Sequence, residues 1–530
     1  MENVNKNETS IGIYKDAFLL TLSTLLTKVI GVFFKIPLSY ILTDEGLGYF
    51  NTAYSVYVFF YVLCTAGIPK AITLIITRER EDSLRNLAII KKALSMFLLI
   101  GILACVLLAG ASPYIGRLVK NERVFIPLLF IAPSLAFVSV GGVIRGYLAA
   151  VNKLSCIAIS QIIEATLKLI LGLGMSMYAV KLSLPLYYIS GFAILGVSLG
   201  SITSCLYLYS KIRYKNNGRK YFLSKAERKN IAKDIIKIAL PISISAAVLN
   251  LSTLIDIGLI MRGLQKAGYT SLEATALYGN YSTLVVPISN LIISLITPFT
   301  VSALPRLSRL YLTNKRDEYT KQFNELMCAI MFFVSHIITI LVLYSNEILD
   351  VLFPSASAII ASPLLSCLSP AFFLLSAMTI LNTAIEGTGD VKTPLKSIIA
   401  VTVIKVAVSY YLIGERGLGI MAIPIGNIIA YCVGVSISLL RMISLRIKQN
   451  YIVSVIRFCL ISMFSIAATH LGIYNIFPIS LTSFSFMVAI MISTILYIFL
   501  NAIFDKNMFY KLKKVILNKN HNSNLSNKTN

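Results

Sequence analysis

Apolar residues in this chain are gathered into fourteen runs, near 17–42, 48–76, 88–110, 125–150, 155–180, 184–209, 231–261, 275–302, 323–345, 355–384, 393–413, 417–440, 452–472 and 478–503. About 20 apolar residues in helical form cross the hydrocarbon core of a bilayer, and every run is near or above that length. The pattern predicts an all-α polytopic membrane protein with about 14 transmembrane helices. The first run, from Ala17 to Leu42, is longer than a signal-peptide core and no small-residue cleavage pattern follows it. It is therefore expected to stay in place as a span.

The longest interruption is the basic stretch 210–230. It divides the chain into an N-terminal lobe of six segments (1–209), a linker (210–230), a second six-segment lobe (231–446), two added segments (447–504) and a tail (505–530). The two halves echo each other. Tyr49-Phe50-Asn51 opens segment 2, with Pro69 eighteen residues after Asn51; Tyr278-Gly279-Asn280 opens segment 8, with Pro298 eighteen residues after Asn280. Six is an even number of crossings, so the repeat would be parallel. Two six-helix lobes facing each other across a central cavity, plus two C-terminal helices, is the expected architecture. The tail from His521 is rich in Asn and Ser and is expected to be disordered.

Composition agrees, with 57% hydrophobic residues, 13% charged and a net charge of +25. In a soluble protein that charge would suggest nucleic acid. Here the basic residues fall almost wholly in alternate loops: around Arg78–Lys92, at Lys153, from Lys211 to Lys233, from Arg306 to Lys321, at Lys392 and Lys396, from Arg441 to Lys448, and in the tail. The intervening loops hold only Arg117, Lys120, Arg123, Lys181, Arg262, Lys266 and Arg416. This bias is the positive-inside rule. It predicts a multi-pass protein of the cytoplasmic membrane with both termini in the cytoplasm, and removes the case for a nucleic-acid partner.

Charges inside the spans carry the functional argument, because each costs about 2.5–3.5 kcal/mol at a helix centre on insertion scales. Lys28 and Lys35 are seven residues apart in segment 1 and share a face with Gly31. Lys70 follows the break Gly67-Ile68-Pro69, and Asn51 and Asn280 open the two repeat-related segments. Asp256 and Arg262 lie in segment 7. Glu164 and Lys168 stand at i, i+4 in segment 5, the spacing of a local ion pair, and Lys405 is in segment 11. Lys28, Lys35, Lys70, Asp256, Arg262, Asn51 and Asn280 are the candidate substrate-binding residues; Glu164, Lys168 and Lys405 form a possible second ring. Structural alternatives stand beside these: a self-neutralising Glu164–Lys168 pair, an interfacial, snorkelling Arg262, and a Lys35–Asp256 contact. Cations in a watered cavity imply an anionic cargo.

No G-x-x-x-x-G-K-[ST] loop, D-x-D pair, H-E-x-x-H or C-x-x-C occurs. The one G-x-S-x-G match, Gly196-Val197-Ser198-Leu199-Gly200, lies within an apolar run rather than at a strand-to-helix turn, and reads as a small-residue packing face. The expectation is a transporter rather than an enzyme, with no cofactor and no metal.

Several stretches resemble the stage V sporulation protein B family: Lys28-Val29-Ile30-Gly31-Val32-Phe33-Phe34-Lys35-Ile36-Pro37-Leu38, Asp44-Glu45-Gly46-Leu47-Gly48-Tyr49-Phe50, Thr65-Ala66-Gly67-Ile68-Pro69-Lys70, Arg145-Gly146-Tyr147, Ala158 to Glu164, and Ile255-Asp256. That family is a branch of the multidrug/oligosaccharidyl-lipid/polysaccharide exporter superfamily and is similar to the MurJ-type lipid II flippases. The resemblance covers about the first 440 residues. It implies paired six-helix lobes that alternate between inward- and outward-open states. It also implies transport of an undecaprenyl-pyrophosphate-linked saccharide, such as lipid II or a polysaccharide repeat unit, to the outer leaflet, in cell-wall, sporulation or polysaccharide synthesis. Lys28 and Lys35 fall where relatives place basic residues. The chain departs in using Lys throughout segment 1, where lipid II flippases tend to have Arg, and in having Lys70 after the Gly-Ile-Pro break. The alternative within the superfamily is a multidrug or cation antiporter, which would line its cavity with acidic groups. A membrane-embedded glycosyltransferase would need a larger outer loop than those near 111–124 and 262–274.

Overall fold

The computed structural model describes residues 2–78, 83–212, 224–415, 418–476 and 483–504. Arg80, most of the basic linker (Arg213, Lys215, Arg219 and Lys220 among it), Arg416 and the tail from 505 lie outside the described residues. By contacts between residues the chain divides into two compact units, Met1–Thr283 and Leu284–Asn530. The linker at 210–230 is therefore not where the contacts divide. The helices on either side of residue 270 pack on the first unit.

The first unit contains α1 (Glu2–Ile41), α2 (Asp44–Thr65), α3 (Ile68–Arg78), α4 (Ser83–Leu118), α5 (Phe125–Ile131), α6 (Ser134–Ala150), α7 (Leu154–Lys181), α8 (Leu186–Ser210), α9 (Lys225–Lys266) and α10 (Ser271–Asn280), and ends within a π turn at Tyr281–Val285. The second contains α11 (Val286–Leu312), α12 (Arg316–Leu343), α13 (Ser345–Leu352), α14 (Ser355–Gly387), α15 (Lys392–Glu415), α16 (Ala422–Ser444), α17 (Tyr451–Ile476) and α18 (Ser483–Phe504). No strand occurs among the described residues.

Among the described residues twelve helices are long and apolar enough to cross a membrane, or thirteen when Glu122–Ile131 and Ser134–Ala150, bent by 42°, are taken as one broken span. Thirteen of the fourteen apolar runs match these spans. Run 231–261 lies in α9, a single helix of 42 residues. The bend falls at Ala132-Pro133, where proline removes a backbone donor and its ring clashes with the preceding turn.

Sequence chemistry sets several helix ends. α9 and α10 open with capping boxes, Ser224 with Glu227 and Thr270 with Glu273, each pair satisfying two otherwise orphaned N–H groups. Asp44 and Glu45 lie in the first turn of α2, where carboxylates favour the helix dipole. Between α2 and α3 the Ala66-Gly67 break interrupts the helix, and Pro69 falls in the first turn of α3, where its missing N–H costs nothing.

The core of the first unit includes Ile68, Ile72, Ile76, Ile89, Phe97 and Ile235, joining α3, α4 and α9. In the second, Phe332, Phe458 and Tyr497 bring α12, α17 and α18 together. His336 is held there between Ser462 Oγ (2.9 Å) and Thr494 Oγ1 (3.1 Å), its ring stacked on Tyr497.

Candidate functional site

Lys35 lies within the span Leu22–Ile41 and is half-buried. Its ammonium donates to the Ser282 carbonyl at 2.8 Å and to Asn51 Oδ1 at 3.4 Å. Asn51, 5% exposed, uses its amide N–H groups on the Leu47 carbonyl and on Thr283 Oγ1 at 2.6 Å. The π turn carrying Ser282 and Thr283 widens the helix by one residue and offsets its carbonyl ladder. Two consecutive helices, α1 and α2, and the turn after α10 thus meet at one lysine. Asn280, next to that turn, is 1% exposed, and neither of its amide atoms has a hydrogen-bond partner among the described residues.

Glycine brings these elements together. A Cβ on Gly48 would stand 2.1 Å from the Thr275 carbonyl oxygen, and one on Gly279 would stand 2.3 Å from the Asp44 oxygen and 2.6 Å from Gly48 N. α2 and α10 therefore cross backbone on backbone, which only a residue without a side chain allows. Gly67 does the same against α9: its Cβ would fall 2.1 Å from the Ala239 oxygen, and its N–H donates to Ser243 Oγ at 3.1 Å. These contacts assign α9 and α10 to the first unit.

A cavity of about 400 Å³ opens within the same unit, among α1, α2, α6, α7 and α8. Arg145 and Glu164 form an ion pair in its wall at 2.8 Å, with side chains 17% and 25% exposed. Glu164 accepts from Ser201 Oγ through its other oxygen (3.1 Å), and Arg145 donates to Ser204 Oγ (3.3 Å). The sequence suggests Lys168 as the partner of Glu164; the structure corrects this. Arg145 on α6 takes the carboxylate through a charge-assisted bond. Lys168 instead lies over the rings of Tyr54 (4.5 Å to the centroid) and Phe34 (5.3 Å), contacts worth about 0.5–2 kcal/mol.

The G-x-S-x-G stretch positions this wall. A Cβ on Gly200 would meet the Glu164 carbonyl oxygen at 2.7 Å, and one on Gly196 would meet the backbone of Gly172 at 2.4 Å. The motif is therefore the close-packing face of α8 on α7, the helix that carries Glu164 and Lys168. Tyr54, Tyr57 and Tyr61 complete the cavity from α2, with neighbouring ring centroids 6.0 and 5.8 Å apart.

The remaining candidates lie elsewhere. Lys28 is exposed on α1, one heptad before Lys35, and Lys70 is exposed in the first turn of α3. Asp256 is half-buried on α9; Lys35 meets Asn51 and Ser282 rather than Asp256. Arg262 is exposed, with its guanidinium 3.4 Å from the Leu118 carbonyl at the C-terminal end of α4, where a cation complements the helix dipole. Lys405 is half-buried on α15 in the second unit. Arg145, Gln161, Thr283 and the three tyrosines are not among the sequence candidates. The tyrosines carry a readable signal, since spacings of three and four put them on one face of α2. Arg145 and Thr283 depend on helix crossings that no local pattern reports.

Three comparisons bear on this architecture. Residues 13–311 match the family model described as polysaccharide biosynthesis protein. Stage V sporulation protein B of Bacillus subtilis is 22% identical over 452 residues, covering 82% of this chain and 85% of that protein; lipid II flippase MurJ of the same organism is 22% identical over 429 residues, covering 76% and 77%. Among solved structures, lipid II flippase MurJ in an inward closed conformation superposes with a TM-score of 0.72 at 16% identity, covering 93% of this chain and 100% of that one. The matched segment exceeds half of the chain, and the protein accordingly belongs to the polysaccharide biosynthesis protein family, as a multi-pass membrane protein of the flippase or exporter kind.

Proposed function

We propose that the protein carries an undecaprenyl-pyrophosphate-linked saccharide from the cytoplasmic to the outer leaflet by alternating access, as a transporter and not an enzyme. One observation carries the reading. Lys35, inside a membrane span, is met by two neutral oxygens, Asn51 Oδ1 and the Ser282 carbonyl. Such acceptors satisfy N–H donors but leave the positive charge uncompensated, and an uncompensated cation at membrane depth is costly. A diphosphate supplies the missing charge. Lys28, one heptad earlier on the same stripe of α1, and Lys70, in the first turn of α3, are the further cations proposed to meet the cargo along its path.

The lipid tail stays in the bilayer while the sugar crosses through water. Cell-wall or polysaccharide synthesis enzymes on the cytoplasmic side would supply the cargo. The alternating Lys and Arg content of the loops supports cytoplasmic termini. In a background without native cysteines, a cysteine at position 315 should label only after the membrane is opened, and one at 120 in intact cells.

The test is flipping of a fluorescent undecaprenyl-diphosphate saccharide in proteoliposomes. Lys35→Gln should lower the rate at least tenfold at equal protein incorporation, and Lys35→Arg should retain most of it, because charge matters more than shape for a mobile diphosphate. Wild-type flipping by a Lys28→Gln, Lys35→Gln double variant would remove the basis for an anionic lipid cargo.

A further inference from the structure

The cavity inside the first unit is lopsided in its hydrogen-bonding capacity. Its one carboxylate is engaged at both oxygens: Glu164 Oε2 by Arg145, Oε1 by Ser201. Gln161 uses its amide oxygen to accept from Ser23 Oγ at 3.3 Å, which leaves the NH₂ for the cavity it lines. Lys168 touches two aromatic faces, and among the described residues no carboxylate lies within ion-pair distance of it. An aromatic face stabilises an ammonium without satisfying its three N–H donors. The carboxylate and amide oxygens are thus held within the protein, and the amide and ammonium donors and one net positive charge are presented to the space. Tyr54 and Tyr61 add ring faces and hydroxyls to the same wall. At about 400 Å³ the cavity is within the range of small-molecule sites, which combine aromatic lining with a few placed polar groups.

We propose that this cavity is a binding site for an anionic, hydroxylated small molecule, a sugar bearing a carboxylate or a phosphate. Lys168 contacts the anionic group, Gln161 donates to its oxygens, and the tyrosines receive the ring. Arg145 and Glu164 are positioning residues: their ion pair occupies the only carboxylate in the wall and so keeps Lys168 available. Such a ligand could be the acidic sugar of a lipid-linked cargo or a free cytoplasmic metabolite. Both offer the same chemistry, and competition distinguishes them. The site is defined without reference to transport, so it stands or falls separately from the role given to Lys35.

The chain contains no tryptophan, so a single Val62→Trp substitution in the cavity wall gives a unique fluorophore in the full-length protein reconstituted in nanodiscs. Glucuronate and glucose 1-phosphate should each change its emission saturably, and glucose should bind at least tenfold more weakly. Lys168→Gln in the reporter background should weaken glucuronate at least tenfold, with Lys168→Arg within about threefold of the parent. Thermal shifts of the protein without the reporter, with the same probes, should follow the same order. Displacement of glucuronate by an undecaprenyl-linked saccharide containing a uronate would assign the site to the cargo; failure to displace it would assign it to a free ligand. Equal affinity for glucose and glucuronate, inorganic phosphate binding as tightly as glucose 1-phosphate, unchanged affinity in Lys168→Gln, or no saturable response by either measurement would each overturn the proposal.

Discussion

Asn51 and Thr283, 232 residues apart in the chain, share a hydrogen bond of 2.6 Å in a fully enclosed setting, Asn51 Nδ2 donating to Thr283 Oγ1. The same asparagine presents its Oδ1 to Lys35. It therefore links a membrane-depth cation to the π turn that follows α10. Its position at the start of segment 2 is visible in the sequence; its partner is not.

Asn51→Leu removes that link at nearly constant volume and leaves the Thr283 hydroxyl and one Lys35 donor without a partner. The expected loss of stability is about 1–3 kcal/mol, read as a lower Tm in detergent or nanodiscs. Thr283→Val should cost a similar amount. The two changes together should cost less than their sum, since each removes the same bond.

Gly48→Ala places a methyl group where the Thr275 carbonyl stands. Backbone must move to admit it, and overpacking of this kind costs roughly 1–3 kcal/mol. Gly31→Ala is the control, because nothing lies within 4 Å of a Cβ at that position. The Gly48 variant should melt several degrees below wild type and the Gly31 variant should not.

The Arg145–Glu164 pair should behave as a unit. Arg145→Met alone strands a half-buried carboxylate in the wall of the cavity, at a cost of about 1–3 kcal/mol. Arg145→Met combined with Glu164→Leu replaces both charges with apolar groups and should recover most of the loss. Thermal unfolding of the two single variants and the double closes the cycle.

Asp390, in the turn between α14 and α15, accepts from Arg441 Nε at 2.7 Å and from Thr393 through N–H and hydroxyl. Partial burial pushes its carboxyl up, but the bonds from Thr393 and from the Arg441 guanidinium outweigh that and hold it below the usual carboxylate value. A carboxyl lowered in the folded state stabilises it fully above its unfolded value near about 4. That contribution is lost as pH falls through the folded value. Wild type should therefore melt above Asp390→Asn at pH 6, and the difference should shrink as the pH is lowered below about 4.

Much of the fold is legible because membrane spans are written as runs of apolar residues, and the break at Gly67-Ile68-Pro69 and the packing role of Gly196 and Gly200 follow from local chemistry. What is not legible is decided where helices cross. An i, i+4 spacing favours Glu164 with Lys168, yet Arg145 reaches the carboxylate from another helix, and two aromatic faces take Lys168 instead. The linker at 210–230 is the largest gap in hydropathy, but α9 and α10 pack by way of Gly67, Gly48 and Gly279. Nothing in their own sequence names the helix they lie against. Arg262 reads as a substrate contact or an interfacial cation from its place near the end of a span, and its neighbour, the Leu118 carbonyl, is known only from the fold.

The crossing of α2 and α10 has a mechanical corollary. Where side chains meet, a change of rotamer can absorb a small displacement; where peptide planes meet at Gly48 and Gly279, nothing is available to rotate. At this crossing a displacement of one helix must be matched by the other or open the contact. The chain then passes from α10 into the π turn at Tyr281–Val285, the first place after this crossing where the regular α-helical hydrogen-bond pattern is broken.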